Sequence, residues 1–183
     1  ALVTDNNWGH YAMNQTRISI YALAQCYQDL SHTDCVLYYA ASRTRLPRCL
    51  PGVSARIYLD GCFLRYDDYN FFNESTDPIV DTFNCSSSAG LATAEEAASF
   101  GKRARELVDN VSIAAAMGGG YAVRDLNGVY GLAQCWKTLS KQGCKECLAK
   151  ASRNVKGCLP SREGRGLNAG CYLRYSTQKF YTD

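Results

Sequence analysis

Two of the ten cysteines, Cys144 and Cys147, form a C-x-x-C pair, a spacing that suits either a redox dithiol or half of a zinc site. A structural zinc site usually needs a second cysteine pair or a pair of histidines. The chain has one C-x-x-C, and its two histidines, His10 and His32, both lie in its first half. We therefore expect no metal and no other cofactor, and we interpret the cysteines as structural.

Other residues that could carry catalysis lack the partners that catalysis needs. Cys135 lies in a Gln-Cys-Trp context, as some protease nucleophiles do, but a catalytic thiolate needs a nearby histidine and the second half contains none. Asp67 and Asp68 are adjacent, so on a strand they point to opposite faces and cannot share an acid–base role. The glycines at 118–120 are not followed by Lys-Ser/Thr, which favours a turn over a phosphate loop. The sequence predicts a chain that is not an enzyme.

The composition is that of a globular protein. Hydrophobic residues make up 46% of the chain and charged residues 20%, which excludes a disordered chain. The net charge of +3 is too small and too mixed to favour nucleic acid or an anionic membrane as a partner. No apolar run reaches the roughly 20 residues that span a bilayer, so we expect any membrane anchor or targeting signal to lie outside this chain.

Four N-x-S/T sequons accompany the cysteines. They begin at Asn14, Asn73, Asn84 and Asn110. The sequon at Asn84 has Cys85 at its centre and should be used poorly, so we predict glycosylation at the other three. Many cysteines together with sequons are typical of the secretory pathway.

The chain contains an internal repeat with an offset of 109 positions. The words G61-C-F-L-R-Y and G170-C-Y-L-R-Y show it, and no insertion or deletion interrupts it. Such a fixed offset indicates two tandem copies of one fold. The cysteines that recur are Cys26, Cys35, Cys49 and Cys62, at Cys135, Cys144, Cys158 and Cys171.

The two copies differ in two of their cysteines. Cys85 has no counterpart, because 85 minus 109 falls before Ala1, so we expect the natural protein to begin earlier and its first domain to be incomplete here. Tyr38 stands where the second copy has Cys147. We assign residues 1–72 to the first domain, 73–84 to a short ordered connection and 85–183 to the second domain.

Local signals in the second copy predict an α+β fold. Thr93 and Glu96 form a capping box that begins a helix running to about residue 116. Asn-Gly at 127–128 favours a hairpin, and the apolar spacing predicts a second helix over 141–155. Alternation predicts a strand over 167–175. Two helices on one antiparallel sheet make an α+β arrangement.

The pattern C-x8-C-x2-C followed by G-C-[FY]-L-R-Y resembles the ginkbilobin-type domain, the plant salt-stress/antifungal cysteine-rich domain. The tandem pair resembles the extracellular part of plant cysteine-rich receptor-like kinases and is also similar to plasmodesmata-located proteins. The resemblance implies, for each copy, a five-stranded antiparallel sheet with two helices and three disulfides. The pairs implied here are Cys26–Cys35, Cys85–Cys158, Cys135–Cys144 and Cys147–Cys171.

The first copy departs from this pattern at two cysteines. By the pairing that the resemblance implies, the partner of Cys49 would lie in a segment before Ala1. The partner of Cys62 would lie at the position that Tyr38 occupies. We predict that Cys49 and Cys62 are either free thiols or bonded to each other. Tyrosine is larger than half a cystine, so we expect overpacking if Tyr38 points inward.

The resemblance also implies candidate ligand residues. Ginkbilobin binds mannose through an asparagine after its first cysteine, an arginine six residues before its last cysteine and an acidic residue five after it. In the second copy these positions hold Ser86, Arg165 and Ser176. In the first copy they hold Arg56 and Asp67.

Two classes of function follow from the resemblance. The first is the ectodomain of a receptor-like kinase, which recognises a carbohydrate or another ectodomain at the extracellular face of the plasma membrane in stress or defence signalling. Any kinase and any transmembrane segment would then lie outside this chain. The alternative is a secreted mannose-binding antifungal protein, and a plasmodesmata-located ectodomain is a variant of the first class.

Overall fold

The computed structural model describes residues 6–16, 18–86 and 93–182. The chain divides into two compact units, Ala1–Phe72 with Thr182–Asp183, and Asn73–Tyr181. We call them unit 1 and unit 2.

Unit 1 contains one antiparallel sheet of four strands with the order β1-β2-β4-β3. An α-helix and a short 3-10 helix connect β2 to β3. The elements are β1 (Trp8–Gln15), β2 (Ile18–Cys26), α1 (His32–Arg45), the 3-10 helix (Leu46–Cys49), β3 (Ala55–Tyr58) and β4 (Cys62–Asp67).

Unit 2 contains an antiparallel sheet of five strands with the order β5-β8-β9-β7-β6, and two α-helices pack on one face of it. The elements are β5 (Thr82–Cys85), α2 (Ala94–Met117), β6 (Tyr121–Leu126), β7 (Val129–Cys135), α3 (Lys141–Lys156), β8 (Glu163–Leu167) and β9 (Cys171–Ser176).

The predicted α+β class and both predicted helices are confirmed. The Thr93 hydroxyl accepts a hydrogen bond from the Glu96 N–H at 3.1 Å and so caps α2. Asn127 and Gly128 both have positive φ, as a tight hairpin turn between β6 and β7 requires.

The single strand predicted over 167–175 is wrong. Residues 168–170 form a turn in which the Asn168 N–H donates to the Cys171 carbonyl, and this turn separates β8 from β9.

The described part of unit 1 has four strands and one α-helix, fewer than the five and two predicted for each copy. By the offset of 109, β5 and the start of α2 have no counterpart positions among residues 1–72. The cores differ accordingly. In unit 2, Leu107 and Val111 of α2 and Leu148 of α3 are buried with Leu173 of β9 in one cluster. The cluster in unit 1 is smaller and includes Leu64.

Four disulfides form, and each lies within a single unit. They are Cys26–Cys35 in unit 1, and Cys85–Cys158, Cys135–Cys144 and Cys147–Cys171 in unit 2. The bridge between Cys147 and Cys171 joins α3 to β9 and lies fully inside the core. The two cysteines of the C-x-x-C pair therefore belong to different bridges.

Residues 73–81, the first part of the connection that we predicted over 73–84, belong to unit 2. The Gly170 N–H donates to the Ser75 carbonyl at 3.1 Å. Asp81 has a fully buried carboxylate that pairs with the Lys150 ammonium at 2.8 Å and accepts from the Ala169 N–H at 2.7 Å. It also accepts from the Asp77 N–H at 2.9 Å. Asp81 therefore fastens the segment before β5 to α3 and to the β8–β9 turn.

We expect Asp81→Asn to lower the free energy of unfolding of unit 2 by about 2 kcal/mol, because it weakens charge-assisted hydrogen bonds at a buried site. Lys150 is partly exposed and can rehydrate, which limits the loss. Urea unfolding measures the change, with Asp125→Asn, at an exposed position on β6, as the control. A loss below about 0.5 kcal/mol, the range of an ordinary surface substitution, would contradict this role.

Candidate ligand corner and arginine clusters

The three positions carried over for a sugar site meet at one corner of the unit 2 sheet. Ser86 follows β5, and its backbone N–H donates to the Glu163 carbonyl at 3.0 Å. Arg165 lies on β8 next to that strand, and Ser176 on β9 pairs in register with Glu163. The antiparallel register thus brings Ser86, Arg165 and Ser176 around a single residue, Glu163.

Glu163 carries the negative charge of this corner. One carboxylate oxygen, Oε1, lies 2.6 Å from Nε of Arg165 and 2.9 Å from Nε of Arg174. The side chains of Glu163 and Arg165 remain partly exposed. We call Ser86, Glu163 and Arg165 the ligand corner. It presents a hydroxyl, a carboxylate and a guanidinium, a set that can hydrogen-bond a polar ligand.

Unit 1 holds the same kind of cluster in a buried form. The Arg65 guanidinium is fully buried, and its Nη2 lies 2.8 Å from Oδ2 of Asp67. Tyr69 accepts a second hydrogen bond from Nη2 at 2.8 Å, and the guanidinium carbon lies 4.0 Å from the centre of the Phe71 ring. Arg56 pairs in register with Arg65 across β3 and β4. Asp67, which we predicted as a ligand residue, is thus engaged inside the protein.

The two clusters are related by the repeat, with one exchange. Arg174 is the counterpart of Arg65, and Phe180, the counterpart of Phe71, lies under Arg174 at the same 4.0 Å. The carboxylate, however, comes from different strands. It is on β4 in unit 1 (Asp67) and on β8 in unit 2 (Glu163), where the other copy has a serine in each case.

Sequence reasoning missed Glu163, Arg174 and Arg65. Both arginines lie in the repeated G-C-[FY]-L-R-Y words, which is a signal that could have identified them. Glu163 gave no such signal, because its counterpart is Ser54. Only the cross-strand register shows that Glu163 and Asp67 serve equivalent arginines.

Tyr38 lies on Gly61 and packs against the edge of the unit 1 core. A β-carbon placed on Gly61 would lie 2.2 Å from Cδ2 of the Tyr38 ring, so the glycine provides the space for the ring. Tyr38 is half-buried. The overpacking expected for an inward tyrosine is thus relieved by a neighbouring residue that has no side chain.

The two remaining cysteines are free thiols. Cys49 is exposed and Cys62 is buried. The Cys62 sulfur lies 3.0 Å from the Ser42 hydroxyl, and burial raises the pKa of the Cys62 thiol despite this contact. Burial therefore limits both the access of reagents to the Cys62 thiol and its ionisation.

We expect iodoacetamide at neutral pH to label Cys49 at least ten times faster than Cys62 in the folded protein, because thiolate character and exposure both control reactivity. The raised pKa means that Cys62 stays protonated, and therefore unreactive, over a wider range as the pH increases. Peptide mass mapping after timed alkylation measures both rates, and unfolding the protein before alkylation should make them equal. Equal rates in the folded protein would contradict the buried position of Cys62.

The predicted glycosylation sites lie at the surface. Asn14 is on β1, Asn73 begins unit 2 and Asn110 is on α2, and all three residues are exposed. No cluster of three or more His, Cys, Asp or Glu suitable for a metal ion occurs among the described residues. Within the same described ranges, no helix is both long and apolar enough to cross a membrane.

The sequence profile described as salt stress response/antifungal matches residues 2–69 and 84–178, once for each copy. The chain belongs to this family. The resemblance drawn from the cysteine spacing is thereby confirmed, and the two matches correspond to units 1 and 2.

Curated relatives of this family include kinases and smaller proteins. Over 98% of this chain, the sequence is 49% identical to cysteine-rich receptor-like protein kinase 42 of Arabidopsis thaliana. It is 30% identical to the antimicrobial ginkbilobin-2-like protein of Castanea crenata over 97% of its length. The chain spans 26% of the kinase and 75% of the ginkbilobin-2-like protein.

A crystal structure in the family has the same fold. It is the tandem DUF26 ectodomain of the Arabidopsis thaliana cysteine-rich receptor-like protein PDLP8, with a TM-score of 0.81 and 26% sequence identity. The similarity covers 100% of this chain and 84% of that one. It confirms the tandem α+β organisation predicted from the repeat.

Proposed function

We propose that this chain is the extracellular recognition part of a plant cysteine-rich receptor-like kinase, with a role in stress or defence signalling. The observation that carries the proposal is the 49% identity to receptor-like protein kinase 42, which extends over 98% of the chain. Identity to the plasmodesmata-located protein 6 of Arabidopsis thaliana is 31%, and to the ginkbilobin-2-like protein 30%. The chain itself is non-catalytic, and it acts at the extracellular face of the plasma membrane.

The structure supports a recognition role through rigidity. Three disulfides in unit 2 fix helices and strands to one another, so surface groups are held in place before a ligand arrives. A preorganised surface loses less conformational entropy when it binds. The partner is an extracellular molecule, either a carbohydrate or another ectodomain.

Sequencing the transcript beyond Asp183 tests the proposal. We expect a transmembrane span of about 20 apolar residues followed by a kinase domain after Asp183. A transmembrane span followed only by a short tail would instead support the plasmodesmata-located variant of this proposal. A reading frame that stops soon after Asp183 would contradict both and leave the secreted alternative.

A second function, binding of a mannose-type carbohydrate, is favoured by the ligand corner of unit 2. Glu163 and Arg165 are held 2.6 Å apart and remain partly exposed, next to the Ser86 hydroxyl. In unit 1, binding through Asp67 would first have to break its ion pair with buried Arg65. We therefore propose unit 2, rather than Arg56 and Asp67 of unit 1, as the carrier of any sugar affinity.

Calorimetry with mannose oligomers tests this second function. Arg165→Ala should abolish binding, Arg56→Ala should leave it unchanged, and Arg105→Ala removes the same charge from an exposed position on α2 as a control. No binding by the unsubstituted protein, or equal binding by Arg165→Ala, would contradict a sugar site at this corner.

A further inference from the structure

Strand β1 is one edge of the unit 1 sheet, and among the described residues only β2 pairs with it. The Cys26 N–H donates to the Asn7 carbonyl at 2.9 Å, just before the strand begins. Because hydrogen-bonded and non-bonded residue pairs alternate along an antiparallel ladder, this bond and the register fix where each backbone group of β1 points. The residues that direct their N–H and carbonyl groups away from β2 are Trp8, His10, Ala12 and Asn14.

The sequence of β1 lacks the features that usually protect an edge strand. Natural edge strands are very short, or they carry charged residues or proline, because an exposed ladder of backbone groups pairs with other chains. The eight residues Trp8–Gln15 include no Lys, Arg, Asp, Glu or Pro. His10, Tyr11 and Ala12 at the centre of the strand are exposed. The opposite edge of the same sheet, β3, is half as long and contains Arg56.

The edge strand in the corresponding place in unit 2, β6, is protected. It carries Arg124 and Asp125, and both are exposed. The Cys135 N–H donates to the Gly120 carbonyl at 2.7 Å, so the same alternation directs the carbonyl of Val123 away from β7. The Arg124 guanidinium donates to that carbonyl at 2.8 Å. Unit 2 thus occupies its edge with its own side chain, whereas β1 has no arginine or lysine that could do so.

Aromatic contacts hold β1 in place on one face of the sheet. The rings of Trp8 and His10 stack with their centres 5.8 Å apart, and Phe72 meets the His10 ring edge-on at 5.1 Å. Phe72 also contacts the ring of Tyr21 on β2, with centres 5.8 Å apart. A strand that is already ordered loses little conformational entropy when a second strand pairs with it.

We propose that β1 pairs with β1 of a second copy of this chain, antiparallel and about a twofold axis at Tyr11. This register places Trp8 opposite Asn14 of the second copy. It also places His10 opposite Ala12, so all four outward-directed residues face one another, and each facing pair exchanges both of its N–H···O bonds. Tyr11, which is 57% exposed, lies opposite its own copy on the face of the sheet away from the stacked rings.

The composition of β1 favours a second copy over an unrelated partner. Self-pairing places residues of one strand opposite one another, and like charges placed directly opposite destabilise a sheet. Strand β1 carries no charged residue, so its self-pairing meets no such repulsion. Because one twofold contact uses the whole of this edge, the assembly closes at two copies.

For a receptor ectodomain this surface joins two receptors outside the cell, a consequence that rests on the proposed function. Pairing through one strand buries little area, so the affinity in solution is low. Anchoring both copies in one membrane raises their effective concentration, so a low affinity is sufficient there.

Sedimentation equilibrium of the isolated chain, up to about 0.5 mM, tests the pairing, and we expect a monomer–dimer equilibrium. Tyr11→Lys places two ammonium groups opposite each other and should raise the dimer Kd about tenfold or more. Tyr11→Glu should do the same with two carboxylates. An equimolar mixture of the two variants should dimerise again, because each lysine then faces a glutamate. Ile18→Lys is the matched control and should leave Kd unchanged, since Ile18 is 58% exposed but lies on β2.

A proline test separates the strand edge from a contact between side chains. Ala12→Pro removes an outward-directed N–H and leaves the hydrogen bonds between β1 and β2 in place, so it should also raise Kd about tenfold or more. A dimer that survives Ala12→Pro would overturn the proposal. If Ala12→Pro does not fold, the mixture of Tyr11→Lys and Tyr11→Glu decides, and a mixture that stays monomeric would overturn it.

A monomer at every concentration would also overturn the proposal. A glycan at Asn14 would stand beside Trp8 of the second copy, so a dimer that forms only in Asn14→Gln would overturn it for the natural protein. None of these results touches the proposed function, because the isolated chain reports on pairing and the transcript beyond Asp183 reports on the kinase.

Discussion

Replacing Asp67 with serine is expected to lower the free energy of unfolding of unit 1 by about 3–5 kcal/mol, because it removes the carboxylate that pairs with the fully buried Arg65 guanidinium. Two hydrogen bonds are lost as well, from Nε at 3.1 Å and from Nη2 at 2.8 Å. The Phe71 ring and the Tyr69 hydroxyl remain, but neither neutralises the charge.

The arginine cluster of unit 2 suggests a second substitution that should recover the stability lost in Asp67→Ser. Its cluster has serine at the position of Asp67 and glutamate at the position of Ser54, and Glu163 there contacts both arginines. We therefore expect Ser54→Glu combined with Asp67→Ser to recover more than half of the lost stability. Asp68→Ser removes a neighbouring exposed carboxylate and should change stability by less than about 0.5 kcal/mol.

Equilibrium urea unfolding measures these variants, and hydrogen exchange of β4 peptides assigns the change to unit 1. A loss below about 1 kcal/mol for Asp67→Ser would mean that the ion pair does not compensate the burial of Arg65. Failure of the double variant to exceed the single one would mean that the two units do not share one cluster geometry.

Replacing Tyr38 with cysteine should create a disulfide with Cys62 and stabilise unit 1. The template is Cys147–Cys171 of unit 2, whose Cα atoms are 5.9 Å apart and whose sequence separation, 24, is also that of positions 38 and 62. Closing a loop of this length restricts the unfolded chain and contributes about 3 kcal/mol. The loss of the Tyr38 ring from Gly61 offsets part of that gain.

Thiol titration of the unfolded, unreduced protein gives a direct readout after refolding with a glutathione redox buffer. The count should fall from the two thiols of the parent protein, Cys49 and Cys62, to one. Tyr38→Ser is the control, because it removes the ring without adding a sulfur and should destabilise unit 1. A count of three thiols for Tyr38→Cys would show that α1 and β4 are not spaced as α3 and β9 are.

The sequence by itself determined the features that depend on short stretches of chain or on the repeat. The Thr93 cap, the Asn-Gly hairpin turn and the limits of α3 follow from residues within a few positions of one another. The 109-residue offset and the cysteine spacing identified two copies and their family. Local geometry and exact repetition require no knowledge of which distant segments meet.

Only the tertiary structure decided which distant side chains become partners. Asp67 was predicted to meet a ligand, but it is paired with Arg65, whereas Glu163, which gave no signal, lies at the ligand corner. Tyr38 is accommodated by Gly61, and Asp81 fastens a segment predicted as a connection. These outcomes depend on strand register and on packing between residues far apart in the chain. A side chain's type limits what it can bind, but its position in the fold selects the partner.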